Sequence, residues 1–347
     1  MKAAIVPEPG LIEIMTVPDP VPGPYEVLVE TIGCGFCNGT DTKIVEGHWP
    51  GTDPMPYILG HEAVGKIVEL GAKVRNLKLG DIIIQSRVEG YPDQGIGTAW
   101  GGFVEYSLAS DWKTMLADGL RLPNPFLQAQ QVVPQNMNPV DAMMLITAKE
   151  VYSALQGFNF RPGMDLLIFG DGPVGICMGM CARQMGAGKV ILCGHHEDRL
   201  ALAIENGASH VVNPRKTNLQ EFVKSLAPDG LPLIVDAIGN NNTVQLGLKM
   251  IADEGHIGIY GYSDLRQAIF DWSESPVRWS IDYLVVPQLS RLVAAHDPLS
   301  EWIMHGQIQL GNLVTHQIPF DHISNAFDLI QSRKALKVFV NIRPSHV

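Results

Sequence analysis

The chain has few of the features that mark secreted, membrane-spanning or disulfide-stabilised proteins. Its five cysteines are an odd number without the spacing of a disulfide framework. No long apolar signal segment opens the sequence, and none of the 347 residues belongs to an apolar run of transmembrane length. These absences predict a cytoplasmic protein that has no membrane partner.

Basic clusters are absent as well. The chain carries 36 acidic against 25 basic side chains, a formal net charge of −11, and no run rich in lysine or arginine. This balance argues against nucleic acid or an anionic membrane surface as a partner. With 46% apolar and 18% charged residues, the composition is that of an ordinary compact globular protein.

The pattern of predicted strands and helices changes once along the chain. Residues 1–110 are punctuated by Gly and Pro, and the β-branched runs between them predict short strands of an antiparallel or barrel-like domain, at 25–30, 65–70 and 81–84. A helical pattern runs from 139 to 156. After residue 163, strands and helices alternate, which is typical of a doubly wound α/β sheet. The length suits two domains.

A glycine-rich segment stands between an apolar strand at 165–169 and a helical pattern at 174–185. In that context, glycines let the backbone approach a pyrophosphate, and the helix N-terminus offers free N–H groups. The segment therefore predicts a dinucleotide site rather than a tight turn without a ligand. Its candidate cofactor-binding residues are Gly170, Gly172, Pro173, Val174 and Gly175.

The type of dinucleotide depends on the residues after the second strand, 189–193. An NAD site usually places an acid there, about 20 residues after the glycines, to accept the ribose hydroxyls. Here the strand is followed by Gly194, His195, His196, Glu197, Asp198 and Arg199. Gly194 leaves space that the two histidines and Arg199 would surround, which favours NADP over NAD. The acids oppose this unless they point away, and a solvated turn with surface histidines is the alternative.

A metal-binding pattern lies in the first part of the chain. Cys37 precedes Gly60-His61-Glu62 by 24 residues, so a thiolate, an imidazole and a carboxylate are available, all suited to Zn²⁺. Between them, Thr40 offers a hydroxyl that can carry a substrate proton. Cys34 and Cys37 also form a Cys-x-x-Cys pair, but no second pair completes a four-cysteine site. A Lewis acid and a hydride carrier together indicate alcohol–carbonyl redox chemistry.

By these motifs the chain resembles the medium-chain dehydrogenase/reductase superfamily, in its zinc-dependent alcohol and polyol dehydrogenase branch. The resemblance covers nearly the whole chain and is most specific at residues 59–71 and at Leu79-Gly80-Asp81. It implies a Rossmann dinucleotide-binding domain at 151–290 and a mainly β GroES-like catalytic domain at 1–150 and 291–347. It also implies a homodimer or homotetramer.

The resemblance assigns roles to individual residues. Cys37 and His61 match zinc ligands, and Glu62 matches a residue near the metal that can coordinate it. Thr40 matches a hydroxyl that bonds the substrate oxygen, and Asp41 a residue that orients the metal shell. On the cofactor side, Val174 matches a position behind the nicotinamide, and Lys337 a basic position at the pyrophosphate.

The sequence departs from the family near the metal. One extra residue separates Cys37 from Thr40, and Gly39 lies in that interval. Lys43 stands where a proton-relay histidine is often found. A relay at Lys43 needs a depressed pKa, and His48 is the other relay candidate; both also fit ordinary surface residues.

Two further departures concern the zinc ions. Residues 90–100 contain no cysteine, so we expect one catalytic zinc and no structural zinc. The position of the family's third zinc ligand is occupied by Ile146, next to Thr147. A zinc site would therefore use Cys37, His61 and Glu62 with water, or recruit Asp141 or Glu150.

These patterns predict a zinc-dependent, NAD(P)-linked dehydrogenase that oxidises a secondary alcohol, a polyol or a sugar hydroxyl of a small molecule. The missing third ligand leaves a zinc-free NADPH-dependent quinone or enone reductase as one alternative. A non-catalytic cofactor-binding protein is the other.

Overall fold

The computed structural model describes residues 1–49, 56–262, 269–284 and 286–343. Its strands, in chain order, are β1 Lys2–Val6, β2 Glu13–Thr16, β3 Glu26–Phe36, β4 Tyr57–Ile58, β5 Glu62–Leu70, β6 Ile82–Ile84, β7 Gly97–Thr98, β8 Tyr106–Ser110, β9 Val132–Val133, β10 Leu166–Phe169, β11 Val190–Cys193, β12 His210–Val212, β13 Leu231–Asp236, β14 Ile251–Ile259, β15 Trp279–Tyr283, β16 His316–Pro319 and β17 Val338–Asn341.

The α-helices are α1 Thr40–Val45, α2 Trp112–Ala117, α3 Pro139–Gly157, α4 Pro173–Gln184, α5 Glu197–Glu205, α6 Leu219–Leu226, α7 Asn241–Leu248, α8 Leu289–Ala294, α9 His296–Met304 and α10 Ser324–Gln331. Short 3₁₀ helices lie at Pro92–Gln94, Pro125–Ala129, Leu310–Leu313 and Phe320–His322. Among the described residues, no helix is long and apolar enough to cross a membrane.

The chain divides into two compact units. The first comprises Met1–Ile146 and Leu310–Val347, and the second comprises Thr147–Gln309. The sequence expectation placed the boundaries at 150/151 and 290/291, so the structure assigns α8 and α9 to the second unit instead. Contacts within that unit explain this: a Cβ on Gly157 would meet Leu284 and Arg291, and Gln184 donates to the carbonyl of Gln307 at 2.9 Å.

The first unit is mainly β. One sheet has the order β2-β1-β4-β7, and the other has the order β16-β17-β3-β5-β6-β9, with β8 also paired to β3. Strand β3 alternates half-buried and buried positions from Glu26 to Gly33, because successive side chains of a strand point to opposite faces of the sheet. Val27 and Val29 thereby reach a core shared with Ile67, Ile83 and Ala109.

Strand pairing brings distant parts of the first unit together where strand β3 ends and its neighbours β5 and β17 begin. Strand β3 is antiparallel to β5 and to β17, with Gly35 opposite Glu62 and Phe36 opposite Val338. The end of β3 therefore meets the beginnings of both neighbours. Cys37, His61 and Lys337 each lie one residue outside these paired positions, so all three side chains belong to this edge.

The second unit is a parallel sheet with the order β12-β11-β10-β13-β14-β15. Strands β10 and β11 are buried at every residue, as expected for continuous apolar runs covered on both faces. Helices α4 to α7 connect the successive strands from β10 to β14. This arrangement confirms the predicted α/β class with a doubly wound sheet, beside a mainly β unit.

A buried lysine in the second unit gives stability a pH dependence. Lys149 in α3 is fully buried, and burial lowers the pKa of its amine from 10.5 to about 7, against the opposing charge of Glu150. Between these two pH values the unfolded chain binds more protons at this site than the folded chain. The contribution of Lys149 to the free energy of unfolding therefore rises with pH over that window.

Replacing Lys149 by methionine is expected to flatten the rise of the free energy of unfolding with pH. Below about pH 7 the variant should be more stable than the parent by up to several kcal/mol, since one pKa unit corresponds to about 1.36 kcal/mol. Urea unfolding near pH 6 and pH 9 measures the difference between variant and parent. The matched control is Lys224→Met, which removes an exposed lysine from α6. Parallel pH profiles for the Lys149 variant and the parent would contradict the prediction.

Candidate functional site

Three side chains at the edge formed by β3, β5 and β17 offer metal ligands of different kinds. The ligand atoms of Cys37, His61 and Glu62 all lie within 4.8 Å of one another. Glu62 is buried, whereas Cys37 and His61 are half-buried. In the part of the chain that the structure describes, this is the one group of three or more such side chains close enough to share an ion.

Asp41 supports this group from helix α1. One of its carboxylate oxygens accepts the backbone N–H of Cys37 at 2.8 Å, and the other lies 3.5 Å from Nδ1 of His61. A carboxylate behind the imidazole is the usual partner of a metal-bound histidine, since it fixes the ring orientation and tautomer. Burial opposes protonation of His61, but Asp41 and Cys37 together raise its pKa well above the ordinary value.

Lys337 is the cation of the group, a placement that sequence reasoning missed. Its Nζ lies 2.5 Å from a carboxylate oxygen of Glu62, and both side chains are almost fully buried. Burial favours the neutral amine, but Glu62 and Cys37 outweigh it and raise the pKa of Lys337. The predicted contact of Lys337 with a pyrophosphate stays a prediction; the structure shows the pairing with Glu62.

Gly35 makes room for this pair. A Cβ at Gly35 would lie 2.3 Å from a carboxylate oxygen of Glu62 and 2.5 Å from the sulfur of Met143. Any larger residue at position 35 would displace the carboxylate of Glu62. The glycine therefore fixes the position of Glu62 beside Cys37, although the sequence pattern identified it only as part of a strand.

The charges of the group suit a divalent cation. When His61 is a neutral metal ligand, the carboxylates of Asp41 and Glu62 and a Cys37 thiolate are three anions, and Lys337 is the buried cation paired with them. Two negative charges are thus left for a metal ion. The sulfur, nitrogen and oxygen donors match the preferences of Zn²⁺. The residues present fit the ion that the sequence predicts.

The three proton-relay candidates lie around helix α1. Thr40 is its first residue and is half-buried, and Lys43 is half-buried one turn later. His48 follows the helix, with an imidazole that is 64% exposed and 3.6 Å from Glu46. Of the three, Thr40 is nearest in sequence to Cys37 and Asp41. The relay roles remain predictions.

The predicted substitutes for a third metal ligand have other partners. Ile146, at the family's ligand position, is a buried aliphatic side chain. Asp141 accepts the backbone N–H of Gly311 at 2.7 Å. In the second unit, Glu150 accepts the hydroxyl of Tyr260 at 3.0 Å. Glu62 is therefore the carboxylate that accompanies Cys37 and His61.

The glycine-rich turn in the second unit has the geometry of a phosphate site. Gly170 has φ +120°, and a Cβ on Gly175 would lie 1.9 Å from the carbonyl oxygen of Gly170, so only glycine fits either position. Nothing lies within 4 Å of a Cβ on Gly172, which caps helix α4 without a side-chain hydrogen bond. Pro173 is the first helical residue, and half-buried Val174 follows it. The N–H groups of the first turn are available to an anion.

Asp171 reaches from this turn to the end of β11, which the sequence did not reveal. One of its carboxylate oxygens accepts the backbone N–H groups of His195 at 2.7 Å and His196 at 2.8 Å, and lies 3.0 Å from Nδ1 of His196. Burial opposes ionisation, but these hydrogen bonds lower the pKa of Asp171.

The structure explains the glycine at position 194 differently from the sequence pattern. A Cβ there would lie 2.4 Å from the side chain of Asp171. The room above Gly194 is therefore filled by Asp171 rather than left open for a phosphate. His195 is exposed next to it, and Arg199 is half-buried in the first turn of α5.

A candidate sulfur–imidazole–carboxylate metal site in one unit and a dinucleotide-binding turn in the other define the class of this protein. It has the parts of a metal-dependent, nucleotide-linked oxidoreductase.

Comparison with known proteins agrees with that class. The family model described as alcohol dehydrogenase GroES-like domain matches residues 23–118, and the model described as zinc-binding dehydrogenase matches residues 173–280. An alcohol dehydrogenase of Cupriavidus necator is 27% identical over 99% of both chains. A sorbitol dehydrogenase of Bombyx mori is 26% identical over 98% of both chains.

Solved structures show the same fold. The alcohol dehydrogenase from Thermus sp. ATN1 matches with a TM-score of 0.82 at 22% identity, over 99% of this chain and 100% of that one. The chain belongs to the medium-chain dehydrogenase/reductase superfamily, in its zinc-dependent branch. It is an oxidoreductase of the alcohol dehydrogenase type, with zinc and a nicotinamide cofactor as its family's requirements.

Proposed function

We propose that this protein is a zinc-dependent, NADP(H)-linked dehydrogenase that interconverts a carbonyl with a secondary alcohol, a polyol or a sugar hydroxyl. The observation that carries the proposal is the cluster of Cys37, His61 and Glu62, with ligand atoms within 4.8 Å of one another. Asp41 and Lys337 complete its charge balance. We expect one zinc ion per chain, held by the three clustered side chains.

Each side chain has a distinct task in this reaction. Zinc held by Cys37, His61 and Glu62 would lower the pKa of a substrate hydroxyl, and a bound nicotinamide would take up the hydride from the carbon that bears this hydroxyl. Thr40, at the beginning of α1, accepts the hydroxyl proton while its own proton passes outward, with Lys43 or His48 as the next carrier. Asp41 holds the imidazole of His61, and Lys337 holds the carboxylate of Glu62.

The preference for NADP rests on the loop after β11. Hydrogen bonds from His195 and His196 offset the charge of Asp171 and fix this loop. Glu197 points to other partners, because its carboxylate accepts from Asn213 at 2.6 Å and pairs with Lys216 at 2.8 Å. Glu197 is thus paired elsewhere, and we expect the exposed His195, with His196 and Arg199 close to it in the chain, to meet a 2′-phosphate.

Purified protein tests the proposal in three measurements. Metal analysis should find about one zinc per chain. Titration should show tighter binding of NADPH than of NADH, and NADP⁺ should support the oxidation of secondary alcohols or polyols. Zinc below about half an equivalent, with turnover of quinones or enones, would favour the zinc-free reductase instead. Cofactor binding without turnover of any substrate would indicate a non-catalytic protein.

We propose that the protein forms the homodimer or homotetramer that the family resemblance implies, and the exposed edge of the parallel sheet supports this. Strand β15 is one of the two edge strands of this sheet, and it exposes Ile281 and Tyr283. An edge with apolar side chains and open backbone groups favours pairing with a second copy. Light scattering should show a dimer or tetramer at micromolar concentration, and Ile281→Glu should shift it towards monomer. A monomeric parent protein would contradict this.

We further propose a cytoplasmic enzyme acting on small molecules, without nucleic acid or membrane partners.

A further inference from the structure

A pocket in the first unit lies beside the candidate metal ligand His61. It is lined by His61, Gln85, Ser86, Arg87, Trp100 and Phe126, among others. The Trp100 ring packs against the imidazole at 5.4 Å between centroids and against the Trp49 ring at 6.1 Å. A molecule in this pocket therefore touches the imidazole that the proposed reaction uses.

Three consecutive lining residues of the pocket carry buried polar atoms that have no hydrogen bond in the structure. Buried side-chain atoms with no hydrogen bond in the structure include Oε1 of Gln85, Oγ of Ser86 and Nε of Arg87. Ser86 is only 2% exposed. Buried polar groups are nearly always paired, so three consecutive unpaired ones indicate a ligand that pairs them.

The backbone presents these groups in a fixed arrangement. Gln85 has φ 60° and Trp100 has φ 69°, a left-handed region that side chains other than glycine rarely adopt. Arg87 exchanges both backbone hydrogen bonds with Leu108, at 3.0 and 2.8 Å. Strain held in place by a rigid frame is typical of ligand sites.

The charge of the pocket wall selects the ligand. The guanidinium of Arg87 is 16% exposed and makes its ion pair, at 2.7 Å, with Glu89, whose own side chain is 76% exposed. Such an exposed acid holds its partner weakly. The planar guanidinium donates through several N–H groups, which suits a bidentate carboxylate, and the Ser86 hydroxyl adds a donor beside it.

We propose that Arg87, with Ser86, binds a carboxylate of the substrate, so that the preferred substrates are hydroxy acids and their keto acids. This inference rests on the proposed alcohol oxidation and narrows its substrate class. Trp100 and Phe126 cover the carbon chain between the carboxylate and the reacting hydroxyl. Arg87 thus determines specificity, whereas the metal-binding group performs the redox step.

Matched substrate pairs test this proposal on the zinc-loaded enzyme. The pairs are 3-hydroxybutyrate with 1,3-butanediol, and 4-hydroxypentanoate with 1,4-pentanediol, because each pair differs only in a carboxylate against a hydroxymethyl group. The acid of at least one pair should have the higher kcat/KM. Arg87→Met should lower the acid-to-diol ratio by about 10- to 100-fold, the worth of a charged hydrogen bond, mainly through the KM of the acid.

Two variants and a binding measurement complete the design. Arg87→Lys keeps the positive charge but loses the planar guanidinium with its parallel N–H donors, so it should give an intermediate acid-to-diol ratio of kcat/KM. As a control, Arg121→Met removes an exposed arginine of the same unit. Calorimetry with butyrate and butyramide measures carboxylate binding without turnover. Two results would overturn this inference and leave the proposed alcohol oxidation intact. One is oxidation of the diols without a preference for the acids, and the other is butyrate binding that persists after Arg87→Met. Arg87-dependent butyrate binding without turnover of any alcohol supports it while refuting the proposed reaction.

Discussion

Replacing Cys37 by alanine is expected to remove the zinc and nearly all dehydrogenase activity. The variant keeps only His61 and Glu62 of the three clustered ligands, and two ligands do not hold zinc in a stable protein site. Loss of the Lewis acid removes several kcal/mol of transition-state stabilisation, so kcat/KM should fall by roughly a thousandfold or more. Metal analysis and alcohol oxidation measure the two effects on one preparation.

Cys34→Ala is the matched control for this experiment. Cys34 lies three residues earlier, within β3, where its side chain is fully buried and its Sγ lies 3.7 Å from the carbonyl oxygen of Gly35. Burial raises its pKa well above the ordinary value, which disfavours the thiolate that a metal requires. The control should retain its zinc. Zinc retained at full occupancy after Cys37→Ala would refute the proposed ligand set.

Replacing Lys337 by methionine is expected to cost the metal-free protein about 3–5 kcal/mol, because Glu62 is left buried without its cation. Added zinc should then restore more stability in the variant than it adds to the parent protein. The reason is electrostatic: without Lys337, the metal is the cation that offsets the charge of the buried Glu62, whereas Asp41 still faces the imidazole of His61. Thermal unfolding with a chelator and with zinc measures both quantities.

A double-mutant cycle separates this pairing from general damage to the core. Glu62→Gln combined with Lys337→Met removes both charges, so the double variant should be less destabilised without metal than the sum of the single variants predicts. Lys2→Met breaks an exposed ion pair with Asp321 and should change little. Additive single-variant effects, or a smaller zinc effect in the Lys337 variant, would contradict the role assigned to this lysine.

The local patterns of the sequence predicted much of this protein because their causes are local. An apolar strand, a glycine turn and a helix follow one another at 165–185, and the structure has β10, the turn and α4 in that order. The motif at 59–71 likewise predicted the family to which the chain belongs. Chain direction, side-chain periodicity and backbone freedom at glycine decide such segments, and all three are visible in one sequence.

Other features arise from pairing between residues far apart in the chain. Lys337 meets Glu62 because β17 and β5 both pair with β3, and no short pattern reveals which strands are neighbours. The second unit extends to Gln309, beyond the boundary expected from the sequence, because contacts between residues far apart in the chain decide to which unit α8 and α9 belong.

The amino-acid sequence alone was sufficient for the fold class, the family and the three clustered residues Cys37, His61 and Glu62. Tertiary structure was needed to show that Lys337 neutralises Glu62, that Asp171 rather than empty space requires Gly194, and that each side chain of residues 85–87 has a buried polar atom without a hydrogen bond. The physical reason is the same in each case. The type of a residue determines which bonds it can make, but only the folded chain determines which partner lies beside it and how far water is excluded from it.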